Sequence, residues 1–412
     1  MRKLISHLLP SQAIGKQAWV YGLGTYSSKL ISLIIFPIIA VQLGYSDTGK
    51  YDLAISTVTI LSPIFSLQVT DAVYLWLSSN DLQQKKIGVT VSSVVIFSIM
   101  LLIVLMAFIV QLLAPVKLLF LGALILASQI GLTWIMQLLR GNRQIKHYTA
   151  TMIVRSMVFT LGELWAVFYS SNKLHSVLMA FVASNVIAMM VAFLSGYKRE
   201  QFSKSFIQWS HFKSILSYSL PMVLNALGWM MMININKYVI QVALGYKMNG
   251  IFAVADKLAS PLFFLGTFYL FSAQDYFLGK RDLKEYSREF NQLILKVVLL
   301  TFLGSISLLI GAWVFVPIFF PSLSEGLDFL PYLSLIYLLF TFSCYLGIPY
   351  LFTKQSLGMS MTTIVGVIIS IVGSLFTVNY WGLVGVCLSI VVGCATTLAL
   401  RLRKTMRFFS PV

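Results

Sequence analysis

Residues 41–54 of the chain read VQLGYSDTGKYDLA, and residues 242–255 read VALGYKMNGIFAVA. The two stretches share a Val, a Leu-Gly-Tyr triplet, a second Gly and an Ala, all at an offset of 201 residues. Each lies at a predicted turn between two apolar helices, where glycine supplies backbone freedom. The repeat predicts an N-terminal lobe over 1–200 and a C-terminal lobe over 201–412. Parallel repeats of this kind are typical of transporters.

The composition places most of the chain in lipid. Of the 412 residues, 58% are hydrophobic and only 10% are charged, whereas soluble domains carry about 25% charged residues. A soluble enzyme, a nucleic-acid-binding protein and a disordered scaffold are therefore excluded. The apolar segments predict helices at 17–43, 51–78, 87–114, 116–139, 147–170, 174–196, 214–244, 249–277, 292–320, 328–353, 356–378 and 380–400. We expect an all-α polytopic membrane protein of about twelve transmembrane helices in two six-helix lobes related by a parallel repeat.

The basic residues are distributed unevenly between the two ends of these helices. On the predicted topology, 21 Lys and Arg lie on the side of the N-terminus and 4 on the other side. The positive-inside rule then places both termini in the cytoplasm. The net charge of +17 is thus explained by topology and by contact with anionic membrane lipids, and we expect no nucleic acid partner.

Signatures of catalysis are missing from the sequence. It contains no phosphate-binding loop of the GxxxxGK[ST] type, no histidines at metal-ligand spacing and no recognisable nucleophile with a base. We therefore expect no catalytic residues, no metal and no cofactor, and we interpret the chain as a protein other than an enzyme.

Charged residues inside the apolar segments need a physical reason, because a charge near the bilayer centre costs about 2.5–3.5 kcal/mol. Two interpretations stay open: ion pairs between helices, or a cationic, water-filled cavity for an anionic substrate. The candidate substrate-binding bases are Lys29, Arg155, Lys237 and Lys257. The acids are candidates for proton coupling or ion pairing: Asp71, Glu163 and Asp256.

Aromatic and amide side chains also lie within the apolar segments. Flat rings and amides suit sugars, which offer apolar C–H faces and hydroxyls. For any single one of these residues, core packing or a hydrogen bond between helices is the simpler explanation. The candidate sugar contacts are Trp134, Trp165, Trp229, Asn225, Asn234 and Asn236.

Residues 22–54 resemble the opening of the polysaccharide-transport flippases of the O-antigen type. The shared pattern is a Gly-rich helix start, a basic residue in the middle of the helix, Phe-Pro, Leu-Gly and Gly-x-Tyr. Residues 218–258 resemble the second-half opening of the same family, with Asn236-Lys237 where Asp-Arg is usual. The chain is thereby similar to members of the multidrug/oligosaccharidyl-lipid/polysaccharide exporter (MOP) superfamily.

This resemblance implies a flippase of the bacterial cytoplasmic (inner) membrane that works by alternating access. Its substrate would be an undecaprenyl-diphosphate-linked oligosaccharide, flipped to the outer leaflet for assembly of O-antigen lipopolysaccharide, capsule or exopolysaccharide. A polysaccharide polymerase and a chain-length regulator would be further partners. The alternatives are a flippase for a teichoic acid or peptidoglycan precursor, a multidrug exporter of the same superfamily, and a membrane polysaccharide polymerase.

Overall fold

The computed structural model describes residues 12–78, 81–113, 117–195, 202–267, 270, 273, 283–352 and 356–409. These residues are helical almost throughout, and no strand occurs among them. The helices are α1 (Gln12–Phe65), α2 (Val69–Ser78), α3 (Leu82–Leu113), α4 (Lys117–Gly141), α5 (Ile145–Tyr169), α6 (Lys173–Ser195), α7 (Trp209–Asn234), α8 (Asn236–Thr267), α9 (Leu283–Phe319), α10 (Leu330–Tyr345), α11 (Ile348–Phe352) and α12 (Ser356–Phe409). Short 3₁₀ turns span Lys204–Phe206 and Pro321–Phe329.

Single glycines divide three of these helices into two arms. Gly44 in α1, Gly245 in α8 and Gly382 in α12 have φ of 73°, 84° and 55°, a region open to glycine because it lacks a Cβ. Divided at these glycines, the helices overlap all twelve predicted segments over the described residues. Eight stretches of the described chain are long and apolar enough to cross a membrane. The prediction of an all-α polytopic membrane protein is confirmed.

The predicted ends and continuity of the segments differ from the structure in two ways. The turns of the repeat are shorter than predicted, because Gly44 and Gly245 alone break the helix and the residues after them are helical. Three predicted segments are interrupted. In 51–78, α1 ends at Phe65 and α2 begins at Val69; in 214–244, α7 ends at Asn234 and α8 begins at Asn236; in 328–353, α10 ends at Tyr345 and α11 begins at Ile348.

The glycines of the two repeat copies adopt the same rare backbone conformation. Gly44 has φ 73° and ψ 164°, and Gly245 has φ 84° and ψ 176°. An added Cβ would meet no atom within 4 Å at either position, so the backbone angle is what calls for glycine there. The sequence repeat is therefore a structural repeat.

The described residues pack as two compact units. The central unit is Ala54–Met230, and the terminal unit consists of the described residues of Met1–Leu53 and Met231–Val412. The division of the chain into lobes 1–200 and 201–412 stays a prediction.

Small residues bring helices close together within each unit, as is common in membrane helices. In the central unit, a Cβ on Gly162 of α5 would lie 2.8 Å from the Cβ of Ala180 in α6. In the terminal unit, Gly366 and Gly393 bring the two arms of α12 together, because a Cβ on either would lie 2.6 Å from the carbonyl oxygen of the other. Large apolar side chains such as Phe376 remain exposed, as expected of a surface that faces lipid.

Candidate functional site

The turns of the two repeat copies pack against each other within the terminal unit. A Cβ on Gly49 would overlap the carbonyl oxygen of Tyr246, and a Cβ on Gly250 would overlap that of Tyr45. These two contacts are related by the same offset of 201 residues as the sequences. The side-chain amide of Asn249 also donates a hydrogen bond of 2.9 Å to the carbonyl of Gly49. This reciprocal contact explains why both copies carry the second glycine.

A buried charge cluster lies on the same helical arms. The Nζ of Lys237 is 2.8 Å from Oδ2 of Asp52 and 3.1 Å from Oδ2 of Asp256. The hydroxyl of Tyr337 donates a hydrogen bond to Oδ1 of Asp256. The Lys237 side chain is only 3% exposed. The ammonium of Lys237, on the first arm of α8, thus links that arm to the second arm of α8 and to the arm of α1 after Gly44. The hydrogen bond from Tyr337 links α10 to the same cluster.

The cluster is close to electrically balanced. Lys237 carries one positive charge against the two carboxylates of Asp52 and Asp256, and Lys257 acts electrostatically on Asp256 from the next residue. Buried charges persist when they are paired and hydrogen-bonded in this way, whereas removal of one partner is strongly destabilising. The cluster is therefore suited to holding helices together.

The other predicted bases have different surroundings. The Nε of Arg155 donates a hydrogen bond of 2.7 Å to Oδ1 of Asn185, and its guanidinium lies 5.2 Å from the ring centre of Phe181. The Nζ of Lys257 lies 6.0 Å from the ring centre of Phe36. The side chain of Lys29 lies outside the described residues.

The predicted acids also differ in their partners. Asp71 accepts hydrogen bonds from the side-chain amides of Gln137, at 2.8 Å, and Gln68, at 3.1 Å. Glu163 is buried within α5, and Asp256 belongs to the cluster around Lys237.

The predicted sugar contacts are dispersed. Trp134 is 1% exposed and donates its indole N–H to Ser92 at 3.0 Å, so it lies in the core of the central unit. Trp165 is exposed, Asn234 is half-buried, and Asn236 is buried with a hydrogen bond of 2.8 Å to Ser370. The side chains of Asn225 and Trp229 lie outside the described residues.

Asp52, Tyr337 and the two glutamines around Asp71 were not predicted from the sequence. For Asp52 a signal exists: it lies eight residues after Gly44, and Lys237 lies eight residues before Gly245. Equal distances from equivalent turns put two helical residues at the same depth. Tyr337 has no such signal, because its position depends on how α10 packs.

The sequence matches one family model over most of its first two thirds. The model is described as polysaccharide biosynthesis protein and matches residues 14–268. The chain belongs to the polysaccharide biosynthesis protein family. The resemblance stated from residues 22–54 and 218–258 is thereby confirmed for this family. No curated protein matches the sequence.

Solved structures of transporters share the fold of this family member. An inward-facing multidrug resistance MATE family transporter of the MOP superfamily has a TM-score of 0.72 at 15% identity, covering 95% of this chain and 98% of its own. An outward-facing one has a TM-score of 0.66 at 16% identity, with 96% and 95% covered. A MOP superfamily transporter from Pyrococcus furiosus, described as having a binding pocket of reverse polarity that suggests a different function, has a TM-score of 0.61 at 15% identity, with 96% and 95% covered. The chain therefore has the same fold as these transporters.

Proposed function

We propose that the protein is a flippase for undecaprenyl-diphosphate-linked oligosaccharides, which it moves from the inner to the outer leaflet by alternating access. The observation that carries the proposal is a polysaccharide biosynthesis family match over residues 14–268 in a chain with a transporter fold over 95% of its length. Polysaccharide units are assembled on a lipid carrier on one side of a membrane and used on the other. A transporter in such a family has that carrier as its natural substrate.

The basic residues within the helices support an anionic substrate. We assign to each of Lys29, Arg155 and Lys257 a separate contact with the diphosphate along its path, because a cation in a poorly solvated site attracts phosphate strongly. Of these bases, Arg155 has the side-chain geometry that best suits binding of a phosphate group. Its guanidinium offers a planar fork of donors that matches phosphate oxygens, and Nε is already oriented by Asn185.

Lys237 has a different role in this proposal. It holds the two repeat turns together through Asp52 and Asp256, so separating these helices requires exchange of its ion pairs. A diphosphate that reached the cluster would compete with Asp52 for the same ammonium. Lys237 would then couple the arrival of the substrate to the opening of this end of the helices.

A multidrug exporter is the second candidate, because the MATE structures with the same fold are multidrug resistance transporters. Cationic drugs favour an acidic cavity, whereas the candidates taken from the sequence are four bases and three acids within the apolar segments. A flippase for a teichoic acid or peptidoglycan precursor shares the lipid diphosphate and differs in the sugar. A polysaccharide polymerase is disfavoured, because no catalytic set was recognised in the sequence.

The test uses vesicles that contain the purified full-length protein and undecaprenyl diphosphate carrying a fluorescently labelled N-acetylglucosamine. A membrane-impermeant reductant bleaches only the outer-leaflet label in protein-free vesicles. With active protein, the inner-leaflet label also becomes accessible. Arg155→Ala should slow this exchange at equal protein content, while Arg155→Lys should retain part of it.

Two results would count against the flippase. Bleaching that stays at the protein-free level removes the proposal. Transport of the dye ethidium by the same vesicles, without exchange of the labelled lipid, favours the multidrug exporter.

A further inference from the structure

The break between α1 and α2 has an unusual backbone. Leu67 and Gln68 both have φ of 50°, a left-handed conformation that residues with a Cβ rarely adopt. The backbone N–H groups of Val69 and Asp71 donate to the carbonyls of Ser66 and Gln68, at 3.0 and 3.1 Å. Two consecutive strained residues persist where surrounding contacts hold them, and such strain concentrates at ligand sites.

The strained segment presents Asp71 to two amides. Gln68 donates to Oδ2 of Asp71 at 3.1 Å, and Gln137 of α4 donates to Oδ1 at 2.8 Å. A carboxylate only accepts hydrogen bonds, so the amide nitrogen of Gln137 must face it and Oε1 must face away. That oxygen is buried and has no hydrogen-bond partner among the described residues, which is costly for a buried acceptor.

Two aromatic rings of the same unit are linked to this cluster through Tyr218. The rings of Trp76 and Tyr218 meet edge to face with centres 5.6 Å apart, and Tyr218 is within electrostatic reach of Asp71. A Cβ on Gly88 of α3 would lie 2.6 Å from the Cβ of Trp76. The helices α2 and α3 are therefore in close contact at this point, and Trp76 packs on Gly88. Tyr218 is 41% exposed and therefore accessible.

We propose that Asp71, Gln68 and Gln137, with Trp76 and Tyr218, form a subsite for the sugar of the substrate, an inference that rests on the proposed flippase function. An ionised carboxylate has about four acceptor positions, of which the two amides occupy two. Oε1 of Gln137 adds further unused acceptor capacity. Sugar hydroxyls are donors that fill these positions, and the C–H faces of a sugar ring pack on aromatic side chains.

The same groups select the sugar over the other parts of a lipid-linked oligosaccharide. Asp71 repels a diphosphate, which needs bases. The polyprenyl chain has no donor for the acceptors and would leave them unsatisfied. A neutral sugar ring matches both parts of this cluster: its hydroxyls can donate to the acceptors, and its C–H faces can pack on the aromatic rings.

The experiment measures binding of two probes to the full-length protein in nanodiscs. One probe is undecaprenyl diphosphate, and the other is the same lipid carrying one N-acetylglucosamine. We expect the wild type to bind the sugar-bearing lipid about tenfold more tightly, as one or two good hydrogen bonds provide. Gln137→Leu and Tyr218→Leu should each remove most of this preference and leave the affinity for the sugar-free lipid unchanged.

The matched control is Gln111→Leu, which removes another buried amide oxygen that has no hydrogen-bond partner among the described residues. It lies in α3, outside the cluster, and should keep the tenfold preference. Tyr218→Leu decides the outcome if Gln137→Leu fails to fold, because the Tyr218 ring is partly exposed.

Equal wild-type affinity for the two probes, or a preference that survives both cluster variants, overturns the subsite. An equal loss of affinity for both probes in Tyr218→Leu also overturns it, because a sugar subsite leaves the diphosphate contacts intact. In each of these cases exchange of the labelled lipid in vesicles can still occur, and the flippase then stands. Failure of that exchange removes the flippase itself.

Discussion

In the terminal unit, the buried carboxylates of Asp52 and Asp256 face the ammonium of Lys237. In the central unit, the carboxylate of Asp71 faces the side-chain amides of two glutamines. The positive charges of Lys237 and Lys257 compensate the carboxylates of Asp52 and Asp256 almost completely. The second acid is held by two amides and by the more distant charge of Arg140, and the amides leave acceptor positions unused. The comparison separates a cluster that holds helices from one that has capacity for a ligand.

The largest effect is expected from Lys237→Met. It leaves two carboxylates buried and close together without their cation, which should lower the free energy of unfolding by about 3–5 kcal/mol. Thermal unfolding of the purified protein in detergent measures the loss. The triple variant that adds Asp52→Asn and Asp256→Asn should recover most of it, because no carboxylate is then left buried without the ammonium of Lys237. A wild-type melting temperature for Lys237→Met would contradict the assignment of Lys237 as the centre of the cluster.

Gly250→Ala should produce the next largest loss. Its Cβ would overlap the carbonyl of Tyr45, and backbone cannot move aside as a flexible side chain can, so the free energy of unfolding should fall by about 1–3 kcal/mol. Gly311→Ala in α9 is the control, because an added Cβ there meets nothing within 4 Å. Equal unfolding temperatures for the two variants would show that the reciprocal turn contact does not stabilise the terminal unit.

Asp71→Asn tests whether the two buried carboxylate sites differ in kind. An asparagine keeps the shape and can still accept from one glutamine, so unfolding should become easier by about 1 kcal/mol. The same variant should weaken binding of the sugar-bearing lipid more than binding of the sugar-free lipid. A loss of stability as large as that of Lys237→Met would mean that the two sites are of one kind.

The smallest effect is expected from Lys247→Ala. Lys247 and Glu325 lie 3.6 Å apart with side chains 64% and 57% exposed, and exposed ion pairs contribute about 0.2–1 kcal/mol or less. Unfolding curves at low and high salt provide the measurement, with Glu325→Ala as the partner control. A loss that approaches that of Lys237→Met would show that burial is not what distinguishes these ion pairs.

The helix break in 51–78 and the partner of Lys237 could not be predicted from the sequence. The segment 51–78 was predicted as one helix, because Leu67 and Gln68 carry no signal for a left-handed backbone. Just after the break, Asp71 contacts Gln137, which is 66 residues away in sequence. Lys237 was singled out from the sequence as a charge within an apolar segment, and the structure buries it. Its partner Asp52 is 185 residues away. Only the approach of α1 to α8 brings them within 2.8 Å.

The sequence by itself determined the membrane class, the helical segments and the repeat. Apolar segment length sets whether a helix spans a bilayer, and the need for positive φ restricts Gly44 and Gly245 to glycine; both are local properties. The tertiary structure alone decided which deep charges are paired, which acid is held by amides and which Trp is in the core. These depend on where helices cross, and an apolar helix in lipid carries little in its own sequence that fixes its neighbour.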